Sequence, residues 1–288
     1  MEKLLFAVTA TFLAILPVFP IKVYPETQVK AGEQVIVPLS KMAVAEIDIF
    51  LNQIKDRSFL ERLELVSARA KGTTYFNGPL GEGLDSPFDT HPLIDLGRVD
   101  CVTFCEQTLA LALGTNYRDS FKQLQKIRYK FGKIKIEKRN HYFMADWVPN
   151  NSWLLSDITK ETGAEYAKPL TRVISHKNLF AASPYKNIIA EEADRKITVN
   201  YIPKDKLHLI GDKLKTGDIA VFIQDLPGVF ASHTGFIIRD KAGKLFFRNA
   251  TSIGLKQVVD LPYNDLTEFL KKSKKNLGLA IIRPNTRA

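Results

Sequence analysis

Apolar and polar positions along the chain change rhythm near its middle. From Met42 to Ala70 apolar residues recur at helical spacing, with a break near Asp56-Arg57-Ser58. Ile47, Phe50, Leu51, Ile54, Leu60, Leu63 and Leu65 form the predicted buried face. Asp100, an apolar run to Leu113 and then Gly114 predict a second helix with a polar N-cap and a stop. Between Lys122 and Arg139, Leu124, Ile127 and Phe131, with Phe121 just ahead, alternate with basic residues, which predicts an amphipathic helix turning these four inward.

From Ile197 the period becomes two. Ile197–Ile202 alternates, Gly217–Ile223 reads as a buried strand, and His233–Arg239 with Lys244–Ala250 reads as a hairpin around Asp240-Lys241-Ala242-Gly243. A helix from Asn264 and a strand from Leu279 to Arg283 follow, so helices precede a sheet in an α+β order. The turn decides one geometric question. An odd loop, such as three residues with a Gly bulge, places His233 and Asn249 on one face of the hairpin; a four-residue loop separates them. Asp-Lys-Ala-Gly favours the odd form.

The N-terminus differs in kind. Lys3 precedes an uncharged apolar run from Leu4 to Phe19, and Pro17 and Pro20 shorten it, which predicts an export signal over residues 1–20 rather than a permanent anchor. Pro25, Gly32 and Pro38 mark residues 21–40 as a linker or extended arm, and residues 41–288 are long enough for a single catalytic domain. The formal charge of +10 is the same without residues 1–20, which hold one Glu and one Lys. Its concentration at Lys126, Arg128, Lys130, Lys133, Lys135 and Lys138 fits a solvated helix face or attraction to an anionic wall polymer or membrane surface. No nucleic-acid motif is present.

Cys101 falls in the first turn of its helix, where the dipole and unpaired N–H groups favour a thiolate and can lower a thiol pKa from ~8.5. The same N–H groups can hold an oxyanion. Cys105, one turn on along the same face, reads as packing, and a disulfide between two such positions fits badly. A thiolate nucleophile needs a base and a group that orients the base, and Cys101, His233 and Asn249 supply the three types. Asn140, His141, Tyr142, Asp146, Trp147 and Asn151 gather amide and aromatic groups suited to a sugar or peptide groove, or to a half-buried strand. His91, His176 and His208 read as surface residues. The five histidines are scattered, with neither HExxH nor paired CxxC, so no metal site or cofactor is expected.

Gly72-x-x-Tyr75, Asp100-Cys101, Gly217-Asp218-Ile219 and His233-Thr234-Gly235-Phe236 together resemble the NlpC-type papain-like cell-wall hydrolases. More narrowly, Arg98-Val99-Asp100-Cys101-Val102-Thr103-Phe104 with Arg139-Asn140-His141-Tyr142-Phe143 and Asp146-Trp147 is similar to the N-acetylmuramoyl-L-alanine amidase-like branch, over roughly residues 42–285. The resemblance implies a papain-like α+β fold, with a helix bundle carrying the nucleophile packed on a small antiparallel sheet or barrel. It implies Cys101 as nucleophile, His233 as base, Asn249 as orienting residue and Tyr75 lining the site near the thiol, with Tyr75, Arg98 and Asp100 as candidate substrate-binding residues. The family's third residue is expected to be His, so Asn249 departs from it, as does Cys105 from Val.

The activity implied is hydrolysis of the amide between N-acetylmuramic acid and L-alanine, in peptidoglycan or its fragments, by an exported periplasmic or wall-associated enzyme. Two other readings stand beside it: a stem-peptide endopeptidase cutting between D-glutamate and the diamino acid, and a catalytically idle wall-binding module. A permuted papain-like lipid acyltransferase is disfavoured because the cysteine here precedes the histidine.

Overall fold

The computed structural model describes residues 37–181, 185–186 and 188–285. The predicted export signal and residues 21–36 of the predicted arm lie outside them. At the arm's end, Leu39 is buried and the Val37 carbonyl accepts from Arg69 at 3.1 Å, so these residues belong to the packed body.

The first helical pattern folds as two helices, α1 (Val44–Ile54) and α2 (Phe59–Arg69). Ser58 restarts the helix: its N–H donates to the Glu61 carboxylate at 2.9 Å while its hydroxyl faces the Glu61 N–H, a reciprocal cap. Ile47, Phe50, Leu51, Ile54 and Leu63 are buried and Leu60 is half-buried, as expected. Leu65 is not: it is 40% exposed, because the inner stripe of α2 runs through Leu63, Val66 and Ser67.

Two short parallel strands, β1 (Thr74–Tyr75) and β2 (Arg98–Val99), bracket the irregular approach and set Tyr75 against Val99, just ahead of α3 (Cys101–Leu113). Every residue of α3 from Thr103 to Ala112 is buried, so this helix is surrounded by protein. Glu106 tolerates that position because Arg128, equally buried at the end of α4 (Tyr117–Arg128), meets its carboxylate at 2.5 Å.

The predicted basic helix stops at Arg128 and does not reach Arg139. Leu124 and Ile127 are buried and Phe121 is half-buried. Phe131 corrects the sequence expectation: it lies beyond the helix at 80% exposure, while Tyr129, fully buried, fills the core instead. A π-helical turn at Phe143–Trp147 then leads through α5 (Val148–Asn150), β3 (Leu155–Asp157), α6 (Thr159–Gly163), β4 (Lys168–Ile174) and α7 (His176–Ala181).

The rest builds the sheet from β5 (Arg195–Pro203), β6 (Ile219–Leu226), β7 (Val229–Arg239), β8 (Leu245–Ala250), β9 (Val258–Pro262) and, after α8 (Tyr263–Lys272), β10 (Asn276–Pro284). The order is β4-β5-β10-β6-β7-β8-β9, with β3 also paired to β10 and every pairing antiparallel. Alternation along the strands makes both faces apolar. Val221, Phe236 and Ile238 join the core that includes Phe104 and Leu109 of α3, whereas Phe222, Ile237 and Phe247 pack with Leu266 and Leu270 of α8. The architecture is therefore mixed, an antiparallel sheet between helices.

Candidate active site

The β7–β8 turn sets the first part of the site. Arg239 pairs with Leu245, and the Asp240 N–H donates to the Lys244 carbonyl at 2.9 Å. That leaves Lys241-Ala242-Gly243 as the loop, with Gly243 at φ +82°. The loop is odd, so His233 and Asn249 share a face. His233 Nε2 donates to Asn249 Oδ1 at 2.9 Å.

Gly235 makes that bond accessible. It lies opposite Asn249 in the extended register, and a Cβ there would stand 2.5 Å from the Arg248 carbonyl oxygen and 2.8 Å from the Asn249 Cβ. The edges of Phe222 and Phe247 enclose the imidazole at 5.2 and 5.8 Å between centroids. With Nε2 engaged, Nδ1 is the nitrogen left to accept a proton. Withdrawal from water holds the His233 pKa below the usual imidazole range, opposed in part by the Asn249 bond and the Asp100 charge. At neutral pH the ring is a free base.

The thiol comes from the other side of the junction. Asp100 caps α3: its Oδ1 accepts from the Thr103 N–H at 2.7 Å, and Thr103 Oγ1 accepts from the Asp100 N–H at 2.8 Å. Its Oδ2 accepts from the Gly78 N–H at 3.0 Å, tying the approach loop to the helix start. Cys101 opens the helix and remains partly accessible. Its sulfur receives backbone N–H groups of Val102 and of Thr234, the residue next to His233. Helix and strand thus meet at Thr234; no direct hydrogen bond joins Cys101 to His233 among the described residues.

One electrostatic expectation is reversed. Desolvation of the sulfur and the Asp100 carboxylate beside it push the Cys101 pKa up to about 12, overriding the backbone N–H groups that favour the thiolate. The resting pair is a neutral thiol and a neutral imidazole. The helix start helps the thiolate once it forms; it does not create it.

Tyr75 stands beside this sulfur. Its phenol is raised above the ordinary range by burial and by the Cys101 and Asp100 charges, so it stays a neutral hydroxyl, bonded to Ser252. Its N–H donates to the Lys256 carbonyl at 2.7 Å, which clasps the loop after β8 over the site. Arg98, on β2, donates to Asp95 Oδ2 at 2.8 Å and lies 4.7 Å over the Phe76 ring. Cys105 is fully buried, in keeping with packing.

The predicted groove residues are elsewhere occupied. Trp147 and Asn151 are fully buried, with Trp147 stacked on Phe143 and the Asn151 amide donating to the Ile127 and Trp147 carbonyls. Neither has a surface to offer a ligand. Asn140 donates to the Ile127 carbonyl, His141 to the Ile136 carbonyl and Tyr142 to the Ser175 carbonyl, at 3.0, 2.7 and 3.0 Å. Burial and the Arg139 charge lower the His141 pKa to about 3. His176, read from sequence as a surface residue, is buried and bonded to Asp146 at 2.9 Å. His91 and His208 are exposed, as expected.

Asp146, His176 and Glu192 bring ligand atoms within 4.8 Å of one another beside a small open cleft. Their charge is already balanced. Arg195 reaches Asp146 Oδ1 at 2.5 Å and Glu192 Oε2 at 3.0 Å, and Lys130 reaches Glu192 Oε1 at 2.6 Å. The group reads as an ion-pair lattice tying α7 and β5 to the π-helical turn.

Sequence reasoning missed Thr234 as the residue joining thiol and base, because a backbone N–H leaves no residue signature. The Gly after it was the available signal, since a glycine inside a strand marks a close approach. With this geometry in place, comparison with known proteins becomes informative. The model of a family described as AmiA-like, N-acetylmuramoyl-L-alanine amidase-like, matches residues 65–278. The chain belongs to that family.

The family match spans both halves of the site, from before Tyr75 to beyond Asn249. Solved structures agree. Protein LPG0564 from Legionella pneumophila is 25% identical with a TM-score of 0.77, over 85% of this chain and 95% of its own. An N-acetylmuramoyl-L-alanine amidase from Bacteroides uniformis is 26% identical with a TM-score of 0.64, over 79% of this chain and 99% of its own. No curated protein matches the chain.

Proposed function

We propose that the protein is an exported, papain-like cysteine amidase that hydrolyses the bond between N-acetylmuramic acid and L-alanine in peptidoglycan or its fragments. The observation that carries this reading is the His233–Asn249 bond at 2.9 Å on the strand whose next N–H meets the Cys101 sulfur. It leaves one imidazole nitrogen free on the strand that meets the start of α3, where Cys101 is partly exposed. Membership of an amidase-like family and likeness to an amidase of Bacteroides uniformis support the choice of bond. The apolar run after Lys3 supports export.

The chemistry follows from the protonation states. Because Cys101 rests as a thiol, attack on the lactyl carbonyl is coupled to proton transfer to His233 Nδ1. The Thr103 N–H is held by Asp100, so the Cys101 and Val102 N–H groups, which meet the sulfur at rest, are the ones we assign to the oxyanion that forms. Asn249 holds the ring as it becomes cationic without adding charge of its own. His233 then returns the proton to the leaving L-alanine nitrogen. Water, deprotonated by the same ring, hydrolyses the thioester and frees the muramoyl carboxylate. Tyr75, a neutral hydroxyl that feels the Cys101 and Asp100 charges, is the side chain we assign to hydrogen-bond the substrate.

Digestion of defined muropeptides, with mass spectrometry of the new termini, tests the proposal. A free stem peptide beginning with L-alanine, absent with Cys101→Ala, is the expected product. A disaccharide retaining L-alanine and D-glutamate would instead make the protein an endopeptidase, and no cleavage would leave the wall-binding reading.

A further inference from the structure

The turn that closes α4 carries a feature hydrolysis does not use. Phe131 is 80% exposed and holds φ 60°, in the left-handed region, with Gly132 next at φ 65°. A large apolar side chain gains no burial there, and glycine or asparagine would hold this backbone with less strain. Ile134, also in this turn region, is 38% exposed. The fold therefore presents two apolar tips to water at a cost.

Lysines surround them. Lys130 Nζ lies 5.9 Å from the Phe131 ring centroid, and Lys133 and Lys135 are exposed on either side of Ile134. Gly132 abuts α4, where a Cβ would come 3.8 Å from the Lys126 Cα. Lys126 Nζ in turn sits 3.5 Å over the ring of Trp153, itself 36% exposed. Lys133 makes no ion pair among the described residues.

We propose that Lys126, the turn over residues 130–135 and Trp153 form a docking surface for an anionic lipid bilayer, with Phe131 and Ile134 entering the interface and Lys133 and Lys135 meeting the head groups. Charge complementarity alone would also suit an acidic polymer, but a hydrated polyanion leaves both apolar tips in water. A bilayer accepts both layers of the patch: anionic head groups outside and hydrocarbon beneath. The exposed Trp, with a cation on its face, suits the same boundary. The net charge of +10 favours approach to such a surface.

The two tryptophans allow a direct test on the full chain, since Trp147 is fully buried and Trp153 is not. Tryptophan emission is followed as vesicles of phosphatidylglycerol and phosphatidylcholine, carrying a head-group spin-label quencher, are added. Quenching is expected with these vesicles and is expected to be much weaker with phosphatidylcholine alone. Phe131→Ala with Ile134→Ala should weaken apparent vesicle affinity about tenfold, and Lys133→Glu with Lys135→Glu at least as much. Melting temperature and muropeptide cleavage should stay at the wild-type value in both variants, which separates this proposal from the assignment of the hydrolytic site. An unquenched Trp153 in sedimented protein, or equal quenching in the alanine variant, would overturn it. So would tighter binding to a soluble acidic polysaccharide that ignores the alanines.

Discussion

Asn249→Ala removes the group that fixes the imidazole, and its effects can be worked out before the experiment. The wild-type bond is 2.9 Å long and Asn249 is 4% exposed, so little water replaces the lost amide. In the ground state a neutral hydrogen bond is worth about 1 kcal/mol; in the transition state, where the ring is cationic, about 1.5–3 kcal/mol. The differential part, about 0.5–2 kcal/mol, lowers kcat roughly twofold to thirtyfold. The pH profile moves in a separate direction. Neutral His233 is the reactive form, so activity is lost as pH falls through its folded pKa, which lies below the ordinary imidazole value. Asn249 raises that pKa, so removing it moves the acid limb to lower pH while the plateau falls. Stopped muropeptide digests from pH 4 to 8, with thermal melts in parallel, provide both readouts. A variant that folds, keeps its plateau and keeps its acid limb would refute the orienting role.

Three further substitutions probe the rest. Asp100→Asn keeps an N-cap but deletes the carboxylate that raises Cys101, so iodoacetamide should alkylate the thiol faster than in wild type at any pH from 7 to 9. Gly235→Ala forces a Cβ to within 2.8 Å of the Asn249 Cβ, and should lower kcat more than it raises KM. Arg128→Ala strands the Glu106 carboxylate inside α3, and urea unfolding should show a loss of about 3–5 kcal/mol.

Much of this site is legible in the sequence because it rests on local rules. Asp100, the apolar run and Gly114 specify α3, and the Asp-Lys-Ala-Gly turn specifies the register that pairs His233 with Asn249. The failures are of another kind. Phe131 fits the apolar stripe of α4, yet the helix ends before it and Tyr129 takes the buried place. His176 has no neighbour in sequence that marks it as buried; its partner Asp146 comes from a distant turn. The Asn140–Asn151 stretch has the composition of a ligand groove, yet Trp147 and Asn151 go to the core and backbone, and only Asn140 and Asp146 of the predicted set line an open cleft. The Cys101 pKa depends on burial and on which carboxylate stands closest, and helix position alone gives the wrong sign.

The most direct test is the mass of the acylated enzyme. Protein mixed with a disaccharide peptide, quenched in acid within one turnover and digested, should carry the disaccharide lactyl group, without amino acids, as a thioester on the peptide containing Cys101. An adduct that includes L-alanine and D-glutamate, or the absence of any adduct on Cys101 during active cleavage, would contradict the account.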